Sequence, residues 1–344
     1  MNKKTKIISE DINWIVNTNL DWFKLKNKTV LITGGNGFIA SYIILSLLEV
    51  SKKYKLNIKL LSIIRKQSKP KIKHRNLKVL KVDLESITDS NIPKADIVIH
   101  AASKASPKYF EKEFLEIIKT NTLSTINLMK IAIKRSEKFL FISSGEVYGE
   151  IENSNVTIDE NYYGKINHLN TRSVYAESKR IGELICKSYA NNKKLKVMIA
   201  RLFHTYGPGI NLHDGRVFSD FVNSVINQKD IVLNSNGDSK RPFCYISDAI
   251  IGLFTVLLKG KHSNAYNIAN PKSEIRIKDL AILLSELDKR KKINIKYKIT
   301  KNMSNPLKRQ RVSIAKIKKL NWTPKIGLKK GFENTISHYQ EGLR

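Results

Sequence analysis

Thr29-Val30-Leu31-Ile32-Thr33-Gly34-Gly35-Asn36-Gly37-Phe38-Ile39-Ala40 runs from an apolar, β-branched stretch straight into a glycine turn, and the helical apolar pattern of residues 42–50 follows at once. Strand, glycine turn and helix in that order are the context that gives a glycine motif meaning. Gly34 permits the tight turn, and Gly37 lets a pyrophosphate approach backbone N–H groups at a helix N-terminus. Ala40 stands where the third glycine of the dinucleotide fingerprint is usual, and alanine is admitted there. A purely structural β–α turn would read the same way, so the flanking chain has to separate the two.

Toward the C-terminus the alternation continues. A second strand over residues 58–64 runs into Arg65-Lys66-Gln67-Ser68-Lys69. An acid near that point would hold an adenosine ribose 2′-OH, whereas an arginine accommodates a 2′-phosphate. Arg65 is present and no acid is, which tilts the expected cofactor from NAD toward NADP. A third strand over 77–82 ends in Asp83-Leu84, and a fourth over 96–100 ends in Ala101-Ala102-Ser103, small residues that leave room for a ligand across the sheet edge. A helical stretch over 110–134 contains Asn121, and a strand around 139–142 leads into Ser143-Ser144-Gly145-Glu146-Val147-Tyr148-Gly149. The expected fold is α/β, a Rossmann-type doubly wound parallel sheet, with a smaller C-terminal α/β substrate domain.

The expected boundaries are 1–27, an N-terminal extension; 28–205, the NAD(P)-binding Rossmann domain; and 206–344, mainly substrate-binding, with the chain crossing back. In the extension, Ile12, Trp14, Ile15, Leu20, Trp22 and Phe23 can form one apolar face. Beyond a strand over 196–201 the alternation loosens, and Asp248 is expected to cap a helix that Arg241-Pro242-Phe243-Cys244-Tyr245-Ile246-Ser247-Asp248 opens.

Tyr175 and Lys179 lie four residues apart in a helical segment, so phenol and ammonium project from one face. A phenolate at neutral pH requires the group to come down from near 10, at about 4 kcal/mol of differential stabilisation. An adjacent ammonium and a cationic nicotinamide ring are physical means of supplying it. The spacing alone arises readily by chance in a lysine-rich chain with 13 tyrosines.

The composition, 41% hydrophobic in 344 residues, is that of a folded globular protein. The formal charge of +32 invites a nucleic-acid reading, but Lys and Arg are spread along the chain, so no nucleic-acid partner is expected. Two distant cysteines, Cys186 and Cys244, without histidines at ligand spacing, predict neither a disulfide framework nor a metal site and point to a reducing cytoplasm. No apolar run approaches membrane-spanning length, so no membrane association is expected.

The ordered set TGGNGFIA, Asp83-Leu84, HAAS, SSGEVYG, Tyr175 with Lys179, RLFHTYGPG, RPFCYISDA and YNIAN resembles the extended short-chain dehydrogenase/reductases of the NAD-dependent epimerase/dehydratase family, which modify nucleotide-linked sugars. Within it the chain looks most like UDP-glucuronate decarboxylases, then dTDP-glucose 4,6-dehydratases and 4-epimerases. The resemblance implies a nucleotide-sugar substrate, a tightly bound, recycled NAD or NADP, and a homodimer formed through the helices that carry Asn121 and Tyr175. It implies that Tyr175 takes the proton of the sugar 4-OH, that Lys179 holds the cofactor ribose, that Ser144 hydrogen-bonds the 4-oxygen, and that Glu146 acts in the step after oxidation. Gly34, Gly37, Phe38, Ile39, Arg65, Asp83, Leu84, Ala101, Ala102, Ser103 and Asn121 would serve the cofactor. His204, Arg216, Arg241 and Arg311 would meet the substrate.

Four departures bear on the outcome. Gly145 stands where decarboxylases carry Ser and dehydratases Asp, and His204 replaces the usual Asn of its loop. The acid after the second strand is absent. The arginine expected to hold a substrate carboxylate is Arg309 or Arg311. The leading expectation is 4-oxidation followed by decarboxylation, epimerisation or dehydration; a net NADPH-dependent 4-keto-sugar reductase and a non-catalytic dinucleotide-binding scaffold are the alternatives.

Overall fold

A computed structural model describes residues 6–151, 156–191, 194–288, 290–298 and 311–342. The first half of the chain supplies α1 (Lys6–Val16), β1 (Thr29–Thr33), α2 (Phe38–Lys53), β2 (Lys59–Ile64), β3 (Leu77–Lys81), β4 (Ile97–His100), α3 (Phe114–Asn121), α4 (Leu123–Arg135), β5 (Lys138–Ser144), α5 (Val174–Tyr189) and β6 (Lys196–Leu202). There follow β7 (Thr205–Tyr206), α6 (Val217–Ile226), β8 (Ile231–Leu233), β9 (Lys240–Pro242), β10 (Cys244–Tyr245), α7 (Ile246–Lys259), β11 (Asn264–Ile268), β12 (Glu274–Arg276), α8 (Ile277–Ser285), β13 (Ile295–Tyr297), α9 (Ala315–Lys318) and α10 (Leu328–Glu341).

Seven strands form one sheet in the order β11-β6-β5-β4-β1-β2-β3. All its pairings are parallel, and β1 bonds β4 on one side and β2 on the other. The strand order reverses between β1 and β4, and the crevice beyond their C-terminal ends is where such sheets take ligands. Continuous apolar runs build these strands because helices cover both faces: Val30, Leu31 and Ile32 are buried, as are Ile97, Val98 and Ile99. The Thr33 hydroxyl ties the crevice together. It accepts from the N–H groups of Ala101 (3.1 Å) and Ala102 (3.0 Å) and meets His100 Nδ1 at 2.8 Å, while His100 Nε2 faces the Thr120 carbonyl at 3.2 Å. Burial holds His100 neutral, its pKa down at about 3.

The later part of the chain is interwoven with the first. β11 returns to pair with β6, and α7 packs against α1, α2 and both of those strands. The N-terminal helix buries Ile12, Ile15 and Val16 in the same core. Two local expectations are corrected. The helix expected over 110–134 starts only at Phe114 and is divided at Thr122, because Pro107–Tyr109 form a separate turn that delivers Phe110 beneath Tyr175. Asp248 does not cap α7, whose N-cap is Tyr245; it lies inside the first turn, and its carboxylate accepts from the backbone N–H groups of Lys325 (2.9 Å) and Ile326 (2.8 Å).

Candidate active site

Two adjoining hollows, of about 380 and 920 Å³, open along the crevice and share Gly37, Ala101, Ser103, Lys104 and Tyr109 in their walls. The larger runs past the glycine turn. Gly34 sits at φ +71°, and a Cβ on it would stand 2.8 Å from Ala102 Cα, so both the turn and the close approach of the two backbones exclude a side chain. No side chain caps the N-terminus of α2, which leaves its first N–H groups directed at the hollow. Ser103 and Ser124 line the same space with buried hydroxyls that lack a hydrogen-bond partner. A cradle of glycine backbone, an uncapped helix N-terminus and two unsatisfied hydroxyls fit a dinucleotide.

The smaller hollow is walled by Ser144, Gly145 and Glu146 from the end of β5, Tyr175 and Lys179 from α5, and His204 and Arg216 from the loops beyond β6. Tyr175 is 6% exposed, and its ring lies flat on Phe110, centroids 5.2 Å apart and planes 8° from parallel. Burial pushes its phenol up to about 12; the hydrogen bond with Ser144 opposes this, and the Glu146 charge adds to it. Lys179 is fully enclosed and turned to the sheet, donating to the Ile142 carbonyl at 2.7 Å, with Nζ 4.7 Å from the Phe141 ring centroid. Burial brings this amine down to about 7, against the pull of Glu183. The expected lowering of Tyr175 by Lys179 therefore does not come from the protein alone, since the ammonium is spent on a carbonyl and the dominant effect on the phenol is desolvation.

Glu146 is held above the usual carboxylate range by burial, while Arg241 and Arg172 pull it down. Arg241 in turn is lowered to about 10 by burial, with Glu146 as its stabilising neighbour. Arg216 is clamped on Asp214, Nε to Oδ2 at 2.8 Å. Gly145 has no room for more: a Cβ there would lie 2.5 Å from Cε1 of Phe203, whose buried ring stacks on Tyr148. His204, next in the chain, has φ +35°, an uncommon value for a residue with a side chain.

The structure thus brings Ser144, Glu146, Tyr175, Lys179, His204 and Arg216 into one cleft, and sets Arg241 beside Glu146. Gly34, Gly37, Arg65, Asp83, Leu84, Ala101, Ala102 and Ser103 line the larger hollow, and Phe38 and Ile39 the smaller. Asn121 is set apart, buried between α3 and α5 with Nδ2 on Ser178 Oγ at 2.9 Å. Arg311 is exposed in a different hollow, with Thr157, Lys272 and Glu274, and Arg309 lies outside the described residues. Missed from sequence were Lys104, held by Glu113 and Glu116, and the strap formed where Ser106 Oγ donates to the Asp214 carbonyl and Lys108 Nζ to that of His213 at 2.6 Å. A polar loop with no motif carries no signal for such contacts; only the S-P dipeptide at 106–107 marked a turn.

A doubly wound sheet with a glycine turn at its switch point and a titratable cluster beside it defines an enzyme-like, nicotinamide-dinucleotide-binding Rossmann protein. More particularly, the chain belongs to the NAD dependent epimerase/dehydratase family, whose model matches residues 30–269. That is a family of enzymes that act on nucleotide sugars, and the cofactor class is a nicotinamide dinucleotide. UDP-glucuronic acid decarboxylase 6 of Arabidopsis thaliana is 31% identical over 311 residues, covering 90% of this chain and 88% of that protein. Among solved structures, UDP-glucuronic acid 4-epimerase from Bacillus cereus, in complex with UDP-glucuronic acid and NAD, superposes with TM-score 0.78 at 22% identity, over 92% of this chain and 100% of that one. A dTDP-glucose 4,6-dehydratase from Bacillus anthracis, in complex with NAD, gives TM-score 0.75 at 20% identity, over 91% and 97%. Among the described residues no helix is long and apolar enough to cross a membrane.

Proposed function

We propose that the chain decarboxylates a UDP-hexuronate, UDP-glucuronate first among them, through a 4-keto-sugar intermediate. The observation that carries the reading is the placement of Glu146 in the same cleft as Ser144, Tyr175 and Lys179, with Arg241 beside it. Tyr175 takes the proton of the sugar 4-hydroxyl as C4 loses its hydride. Ser144 hydrogen-bonds the 4-oxygen, and Lys179 orients the cofactor's ribose. A dinucleotide held by the glycine turn and the uncapped α2 N-terminus would supply the reversible hydride chemistry at C4. The 4-keto group is the electron sink: the carboxyl on C5 leaves as CO2, the pair of the broken bond passes into a C4–C5 enolate, and C5 takes one proton. Glu146, whose raised pKa lets it hold a proton nearer neutrality, serves this step. Arg216 and Arg241 meet the substrate's phosphates.

Phe203 argues against dehydration of the standard kind: its ring fills the space in which a dehydratase-type aspartate at 145 would stand, and a decarboxylase-type serine at 145 would meet the same ring. The test is product identification by mass spectrometry and NMR after incubation with UDP-glucuronate. A UDP-pentose with CO2 is expected; UDP-galacturonate would make the chain a 4-epimerase, and unchanged substrate would remove this substrate. Net consumption of reduced cofactor would instead mark a 4-keto-sugar reductase.

Pairing with a second copy belongs to the same reading. Phe114, Leu115 and Ile118 of α3 and Ile181 and Leu184 of α5 are large apolar residues left exposed on two helices that pack together. A dimer in light scattering, made monomeric by Leu184→Glu, is the expected outcome. Cys186 and Cys244 are both buried free thiols, in keeping with a reducing cytoplasm.

A further inference from the structure

We propose that the adenosine end of the larger hollow takes a 2′-phosphorylated dinucleotide, NADP rather than NAD, with its phosphate seated on the turn Arg65–Ser68. The proposal concerns the cofactor alone and holds whichever sugar reaction follows.

β2 ends at Ile64, and the four residues that follow include no acid. They close into a turn in which Ser68 N–H donates to the Arg65 carbonyl at 3.0 Å, so guanidinium and hydroxyl stand on one bend, and Arg65, Gln67, Ser68 and Lys71 line the hollow. The turn is fixed to the pyrophosphate end. Asn36, inside the glycine motif, donates through Nδ2 to the Lys69 carbonyl at 3.0 Å and accepts from Lys71 N–H at 3.1 Å. A dinucleotide seated on the glycine turn therefore meets this bend at its adenosine side.

The carboxylates around the hollow are matched by cations. Asp83 pairs with Lys66 at 3.2 Å and Glu85 with Lys119 at 3.2 Å, while Glu116 has one oxygen 3.0 Å from Arg65 and the other on Lys104. Glu116 is the acid that could compete for a ribose hydroxyl, but both its oxygens are engaged. Its pair with Arg65 joins a 58% exposed side chain to a 37% exposed one, a solvent-screened contact of small worth. A phosphate dianion offers Arg65 a stronger, charge-assisted fork, so exchange of partners is favourable, and Glu116 keeps Lys104.

The test is calorimetric titration of the purified, cofactor-stripped chain with NADP⁺ and with NAD⁺, alongside mass spectrometry of the dinucleotide released when the protein as purified is denatured. NADP⁺ is expected to bind at least about tenfold more tightly, and to be the form released. Arg65→Ala should cost NADP⁺ about tenfold in affinity and leave NAD⁺ within about twofold. Glu116→Gln should leave NAD⁺ binding unchanged and NADP⁺ binding unchanged or tighter. Equal or tighter binding of NAD⁺ would overturn the proposal, as would an Arg65→Ala loss shared by both ligands. A loss of NAD⁺ affinity in Glu116→Gln would do the same by making Glu116 the ribose acid. Binding of neither would remove the dinucleotide site, and the proposal with it. No sugar enters the assay, so failure of the decarboxylase reading leaves the result untouched.

Discussion

Arg241 and Arg311 carry the same group on neighbouring parts of the fold, yet only one is desolvated beside the carboxylate of the cleft. Arg241 lies on β9, paired through Ile275 with β12, and is desolvated beside Glu146. Arg311 lies in a hollow walled by Glu274 of the same β12, exposed, and sharing no wall residue with the cleft. In the cleft, burial sets the proton affinities: Tyr175 up, Lys179 down, Glu146 up, Arg241 down. Around Arg311 solvent screens whatever charge is placed there. A residue's type names the chemistry it can do, and its surroundings set the form in which it can do it.

The contrast can be broken by substitution. Tyr175→Phe should lower turnover by about 10²–10⁴-fold while leaving dinucleotide binding intact by calorimetry; unchanged turnover would remove the proposed base. Arg241→Ala should raise KM about tenfold or more, since it removes a charged contact and leaves Glu146 with Arg172 as its remaining arginine neighbour. Gly145→Ser should cost about 1–3 kcal/mol in denaturant melts, because its Cβ meets the Phe203 ring, and Phe203→Leu in the same chain should recover much of that. A full-stability Gly145→Ser protein would show that the ring yields freely.

Asp11 tests whether burial alone makes a site. It sits away from both hollows, accepting from Tyr42 (3.1 Å) and Tyr245 (3.0 Å), and burial raises it from 3.8 to about 7. The folded state therefore holds this proton more tightly than the unfolded one, so its contribution to stability is complete below about pH 4 and is lost as pH rises through about 7. Asp11→Asn should flatten the fall in melting temperature over that window without changing turnover. Smallest of all, Arg311→Ala should change KM by less than about twofold, as for an exposed charge outside the cleft.

Much of the fold was legible because its signals are local. The apolar run 29–33, the glycine turn and the recurrence of strand and helix define the sheet, and small residues at 101–103 mark the crevice. Ser144, Glu146, Tyr175 and Lys179 were legible as motif letters, and their meeting in one cleft follows from two adjacent elements, β5 and α5. What escaped depends on contacts between distant segments. The side chain missing at 145 is replaced by a ring from residue 203, Asp248 caps the backbone of residues 325–326 instead of its own helix, and Asn121 turns to Ser178. The burial that raises Tyr175 escaped for the same reason. Sequence places Lys179 on its face of α5, but only the fold shows the amine bound to Ile142 on the sheet.

The central claim is that C4 is oxidised and then restored by the same hydride, with Tyr175 handling the proton. UDP-glucuronate carrying deuterium at C4 tests it in one experiment. The account predicts a UDP-pentose that retains the deuterium at C4 and carries one solvent hydrogen at C5, with no net change in cofactor. Deuterium washed into solvent, or left on cofactor released with the product, would contradict it.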